Sequence, residues 1–260
     1  MKHLRSVLLA VSVVAAALSM GASAQAADSA RTIVLVHGAF ADGSSWNKVI
    51  PILQDKGLNV ISVQNPLTSL SDDVAFTLRE LEMAEGPVVL VGHSWGGVVI
   101  TEAGAHDKVR SLVYVSAFAP KEGEHIHDIL DDAHKVKKIP KVDGFKSPIV
   151  DEAGFIRLSE DTIVTYFADD IPDSDAKLIA AGQGKLQKDA LDQAPKVAAW
   201  ETKPSWYIVS TKDQMIAPEV MRLEARKIGA NTTELPTSHV SMLSQPQEVA
   251  EVILEAAGMN

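Results

Sequence analysis

Ser94 lies in the stretch "PVVLVGHSWGG" (residues 87–97), where four apolar residues run straight into a small hydroxyl held between glycines. Gly92-His93-Ser94-Trp95-Gly96 is a G-x-S-x-G pentapeptide. Its mechanical meaning is a sharp strand-to-helix turn, in which the outer glycines let strand and helix approach closely and the hydroxyl projects into a pocket. A glycine-rich turn without chemistry has the same letters, so partners elsewhere in the chain must decide. A serine hydroxyl is a poor nucleophile until a base takes its proton, and that base must be oriented by a carboxylate.

Beyond residue 26 the chain offers seven histidines: His37, His93, His106, His125, His127, His134 and His239. His93 adjoins Ser94 and would point away from the hydroxyl, and His37 precedes a glycine turn that it would brace. His239 is different. It sits in "LPTSHVSML" (residues 235–243), between the strand expected at residues 232–235 and a helix opened by Pro246, and so in a loop at the same strand ends as Ser94. Asp213, in "STKDQMIAP", follows the strand ending at Thr211 by two residues. The rival position, after the preceding strand, reads Ser116-Ala117-Phe118 and has no acid before Glu122. The order Ser94, Asp213, His239 is then nucleophile, acid, base. An oxyanion site needs backbone N–H groups aimed at the developing charge. "VLVHGAFADGSSW" (residues 34–46) supplies them after the first strand: the expected donors are Ala39 or Phe40, together with Trp95.

These residues require a scaffold that brings several strand ends to one edge. Residues 32–38, 58–63, 87–93, 110–118 and 205–211 are short β-branched runs without polar alternation, as expected for strands buried on both faces. Helical patterns separate them. Leu70, Val74, Leu78 and Leu81 share one face, with Ser69 and Asp72 as a start signal and Gly86 as a stop. An apolar helix follows Ser94 over residues 98–105. Pro218 opens a helix that buries Val220, Leu223 and Ile228 and ends at Gly229, and Pro246 opens one that buries Val249, Val252, Ile253 and Ala256. Alternating strands and helices predict an α/β fold: a mostly parallel, twisted sheet with helices on both faces, its ligand site beyond the carboxyl ends of the strands. Residues 121–199 break the alternation, with no clear strand runs, and are read as a mainly helical lid inserted over one end of the sheet. Its apolar residues Ile129, Leu130, Phe155, Ile163, Tyr166 and Phe167 either line a substrate pocket or pack the lid on the body.

Composition narrows the partners. The 260 residues are 46% apolar and fit one globular domain, expected over residues 27–260. A net charge of −10 argues against nucleic acid or an anionic membrane as partner, since both need a basic face. Residues 1–26 read as a secretory signal peptide of bacterial type: Lys2 and Arg5, an apolar run over residues 7–18, then small residues that favour cleavage after Ala24 or Ala26. The run is far short of the ~20 residues that span a bilayer, so no membrane anchor is expected after processing. The protein would then be exported, periplasmic or secreted, with a mature charge of −12 once Lys2 and Arg5 are lost. There is no cysteine, so stability rests on the core. "HIHDILDDAH" (residues 125–134) crowds His125, His127, Asp128, Asp131, Asp132 and His134, a set that could hold zinc or manganese; a solvated lid face has the same letters, and no metal site is assigned.

Taken together, "HGAFADGSSW", "GHSWGG", "TKDQMI" and "SHVSML" resemble the α/β-hydrolases, and are similar to the branch containing plant methyl-ester esterases and hydroxynitrile lyases with their bacterial secreted relatives. The resemblance implies a Ser94, His239, Asp213 triad that cleaves a small-molecule ester or related acyl bond through an acyl-enzyme, with no cofactor. In the lyases of this branch a threonine follows the histidine of the oxyanion loop and a lysine follows the catalytic histidine. Here those positions are Gly38 and Val240, which implies ester hydrolysis rather than cyanohydrin cleavage. The rival function is a small-molecule binding protein on the same fold.

Overall fold

The computed structural model describes residues 30–259; the expected signal peptide, residues 1–26, lies outside the described residues. Six strands form the main sheet: β1 (Thr32–Val36), β2 (Asn59–Val63), β3 (Val88–His93), β4 (Val109–Val115), β8 (Ser205–Ser210) and β9 (Asn231–Leu235). Their order is β2-β1-β3-β4-β8-β9, and every pairing is parallel. Every residue of β1 and β3 is buried. Because successive side chains point to opposite faces, this requires cover on both sides of the sheet. The run at residues 58–63 departs from expectation: β2 is an edge strand and mostly half-exposed, because only β1 pairs with it.

The α-helices of six residues or more are α1 (Ile50–Asp55), α2 (Leu70–Met83), α3 (Gly96–Ala103), α4 (Ile126–Asp131), α5 (Asp173–Gly182), α6 (Pro218–Lys227) and α7 (Pro246–Ala256). α2 starts where the sequence signals it, with the Ser69 hydroxyl accepting from the Asp72 N–H at 3.0 Å. α2 packs on α3, and α1 on α7. α6 begins at Pro218 but turns Glu224 inward as well, leaving Leu223 only half-buried. No helix of the described residues is long and apolar enough to cross a membrane.

The lid contains α4, α5 and several single helical turns, two of them π-helical (Asp132–Val136 and Ile163–Phe167). It also contains what the sequence did not signal: a three-stranded antiparallel sheet of β5 (Ile149–Val150), β6 (Phe155–Arg157) and β7 (Leu186–Gln187). Strands of two or three residues are too short to show a period.

Candidate active site

Register brings the strand ends together. Val36 pairs with Gly92, Gly92 with Tyr114, Val115 with Ile208, and Ser210 with Leu235. The loops that follow β1, β3, β8 and β9 therefore open on one edge, and they carry Ala39, Ser94, Asp213 and His239.

At the end of β3 the chain turns on Ser94, whose φ of +53° is in the left-handed region. A non-glycine residue there costs about 1–2 kcal/mol and persists only where its surroundings hold it. The Ser94 N–H donates to the Val115 carbonyl at 3.1 Å, and the flanking glycines are sterically required. A Cβ on Gly92 would stand 2.5 Å from the Gly96 carbonyl oxygen, and one on Gly96 would stand 2.6 Å from that of Val36. Close approach of strand and α3 is what aims the hydroxyl outward.

Asp213 and His239 are both buried and joined: the His239 Nδ1–H donates to Asp213 Oδ2 at 2.6 Å. The other carboxylate oxygen accepts from the N–H groups of Met215 (2.7 Å) and Ile216 (2.9 Å). With Nδ1 holding the proton toward the carboxylate, Nε2 is left as the basic nitrogen. Beneath them, hydroxyls of Ser116, Ser210 and Thr237 form a buried chain at 2.7 and 2.9 Å across the ends of β4, β8 and the loop after β9. The two loops are also stitched by the Lys212 N–H donating to the Thr237 carbonyl at 3.0 Å.

The neighbouring histidines brace the site. His93 is fully buried, and its Nε2–H donates to the His239 carbonyl at 2.9 Å while its Nδ1 has no partner. Burial holds its pKa well below the ordinary imidazole value, so it is a neutral prop for the His239 backbone. His37 donates from Nδ1 to the Gly38 carbonyl (2.8 Å) and accepts at Nε2 from the Asn65 N–H (2.9 Å), and burial lowers its pKa as well.

The two candidate oxyanion donors after β1 differ in their hydrogen bonding. The Phe40 N–H is engaged, donating to the Gly184 carbonyl at 3.1 Å, and Phe40 itself has φ +60°. Among the described residues the N–H groups of Ala39 and Trp95 have no acceptor. Ala39, Phe40, Ser94, Trp95 and His239 all line one cavity of about 160 Å³. The Ser94 hydroxyl makes no hydrogen bond among the described residues. Catalytic hydrogen bonds are often open in a ligand-free site and tighten when substrate binds.

The rest of the cavity wall is apolar: Phe118, Ile126, Leu130, Phe145, Phe167, Leu186, Leu191, Met215 and Ile216, with His127 at its edge. No lysine or arginine lines it. Of the lid residues singled out in the sequence, Leu130 and Phe167 reach the cavity. Ile129 and Ile163 are buried outside that wall, and Phe155 and Tyr166 are half-buried. The histidine-rich stretch of the lid disperses: His125 meets Asp128 (3.0 Å), His127 meets Asp192 (3.3 Å), and the His134 Nδ1–H donates to the Ile139 carbonyl (2.8 Å). Among the described residues no three such groups converge on a metal position.

One buried group escaped sequence reading. Asp73, in the first turn of α2, has the appearance of an acid placed for the helix dipole. It is instead fully buried, accepting from the Trp95 Nε1–H at 2.7 Å and the Leu67 N–H at 2.8 Å. Burial pushes its pKa up to about 6. Only the adjacent Trp95, which needs an indole partner when buried, could have pointed to it.

Residues 33–252 match the alpha/beta hydrolase family, and the chain belongs to it. Among curated relatives, it is 26% identical over 250 residues to a carbendazim hydrolyzing esterase of Nocardioides sp., covering 84% of this chain and 96% of that protein. It is 24% identical over 255 residues to methylesterase 2 of Arabidopsis thaliana, covering 86% and 95%. Among solved structures, polyneuridine aldehyde esterase aligns with a TM-score of 0.73 at 22% identity, covering 87% of this chain and 98% of that one.

Proposed function

We propose that the protein is a serine esterase that cleaves an uncharged, apolar or aromatic carboxylic ester through an acyl-enzyme. The observation that carries this is the buried Asp213–His239 hydrogen bond opening onto the same apolar cavity as Ser94 on its left-handed turn. The Ser94 hydroxyl attacks the ester carbonyl as His239 Nε2 takes its proton; Asp213 keeps the imidazole in the tautomer that can do so and stabilises the imidazolium. The tetrahedral oxyanion receives the N–H groups of Ala39 and Trp95, donors of a kind worth about 3 kcal/mol each. Collapse expels the alcohol, protonated by His239, and water then repeats the sequence on the acyl-serine.

Two features support ester hydrolysis over cyanohydrin cleavage. A Cβ at Gly38 would lie 2.8 Å from the Cβ of Ser94, so no threonine fits there with the serine where it stands. Val240 is buried, and no lysine or arginine lines the cavity to stabilise a departing cyanide. A cavity of about 160 Å³ is close to one that takes a single benzene ring, so one small acyl or single-ring group is the expected inner occupant. A panel of p-nitrophenyl esters of increasing acyl length, run with the parent and with Ser94→Ala, tests the reading. Turnover that is best for short acyl groups and lost in Ser94→Ala supports it. Cyanide release from mandelonitrile with p-nitrophenyl acetate left intact overturns it.

The same reading carries export of the enzyme, on the basic start and apolar run of residues 1–26. N-terminal sequencing that finds a chain starting at Gln25 or Ala27 in periplasm or medium supports it; an intact Met1 chain retained in the cell contradicts it.

A further inference from the structure

The lid touches both loops of the site through the two flanks of α5. On its N-terminal side, Asp170 accepts both donors of Ser238: the N–H at 2.8 Å and, through its other oxygen, the hydroxyl. Ser238 is fully buried and immediately precedes His239, whereas Asp170 is exposed; the acceptor for a buried pair of donors is thus supplied from the lid's surface. Three residues earlier, Phe167 sets its ring edge against His239, with centroids 5.1 Å apart and planes at 67°. On the C-terminal side, Gly184 accepts the Phe40 N–H (3.1 Å) and donates to the Ala41 carbonyl (3.3 Å), so it grips the oxyanion loop on both sides of its turn. Gly184 has no room for a side chain: a Cβ there would lie 2.6 Å from Leu67 Cδ1 and 2.8 Å from the Ala41 carbonyl oxygen.

We propose that Asp170 and Gly184 are positioning residues, and that the α5 segment is a fixed brace which sets the His239 loop and the oxyanion loop rather than a flap that opens for substrate. This rests on the serine-esterase reading. A brace and a flap differ kinetically. Loss of the brace displaces the base and the oxyanion donors from the reacting atoms while leaving the apolar cavity, so it lowers kcat; loss of a flap contact changes access and moves KM.

The test is steady-state kinetics on a short p-nitrophenyl ester for Asp170→Ala, Asp170→Asn and Gly184→Ala, beside Ser94→Ala, with circular dichroism to verify folding. The expected result is a fall in kcat of about 10- to 100-fold for Asp170→Ala with KM within about twofold, since a displacement near 1 Å costs on that order. Asp170→Asn, which can still accept the Ser238 N–H, should recover most of the loss. Gly184→Ala should lose kcat in the same way. A folded Asp170→Ala with parental kcat, or a loss carried by KM and not rescued by asparagine, overturns the proposal. If Asp170→Ala does not fold, Ser238→Ala, which removes only the hydroxyl partner, decides on the same criteria. Activity surviving in Ser94→Ala would instead sink the underlying esterase reading, so the two failures are distinct.

Discussion

At the residue scale, the proposed triad gives Asp213 and His239 different loads. Asp213→Asn keeps the shape but presents an amide N–H where a carboxylate accepted, favouring the imidazole tautomer with its proton on the wrong nitrogen; we predict a kcat loss of about 10³- to 10⁴-fold. His239→Ala removes the base itself and should cost about 10⁶-fold, and equal losses in stopped-flow or steady-state assays would refute the assigned roles. Asp73 gives a prediction about stability. Its folded pKa of about 6 lies above the ordinary carboxylate value of 3.8, so the folded state holds this proton more tightly than the unfolded chain. Its contribution is therefore fully present below about pH 4 and is lost as pH rises through 6, by up to about 3 kcal/mol. Urea unfolding of the parent and Asp73→Asn should show the parent's relative stability falling between about pH 4 and pH 7; a pH-independent difference would contradict the burial of an ionisable Asp73. The positions legible in the sequence were those whose letters imply a local job: Ser94 between its glycines, Asp213 and His239 just past strand ends. Asp73 and Asp170 were not, because an acid in a first helical turn or in an acidic surface run has a sufficient local explanation, and their partners lie 22 and 68 residues away.

Among the elements, the turn from β3 into α3 is the most demanding. Gly92→Ala would drive a methyl group into the Gly96 carbonyl, and overpacking of this kind typically costs about 1–3 kcal/mol. For a domain of this size each kcal/mol lowers Tm by roughly 2–4 °C, so calorimetry should find a drop of several degrees together with loss of esterase activity. An unchanged Tm with full activity would mean that strand and helix are not in contact there. The parallel strands were legible because burial on both faces leaves unbroken β-branched runs, and the helices because their caps and prolines punctuate them. The lid resisted reading for the opposite reason: its strands, separated by 4 and 28 residues, are too short to impose a period.

At the scale of the whole molecule, the chain carries a net charge of −10, and no lysine or arginine lines the inner cavity. Such a charge repels anions and leaves neutral ligands unaffected. For p-nitrophenyl acetate, kcat/KM should change less than about twofold as ionic strength rises past physiological values, whereas a matched ester bearing a distal carboxylate should be at least about tenfold poorer and recover partly with salt. A preference for the anionic ester would show that the cavity wall does not choose the substrate. The proposed mechanism stands or falls with Ser94 as the acyl-accepting nucleophile at this edge of the sheet. Incubation of the protein with a fluorophosphonate, followed by peptide mass spectrometry, distinguishes it from every other serine of the chain. A single adduct per chain is expected on the peptide carrying Ser94, formed in step with loss of esterase activity and absent from Ser94→Ala. Inactivation with the adduct on another residue, or esterase turnover that persists in a fully labelled protein, would contradict it.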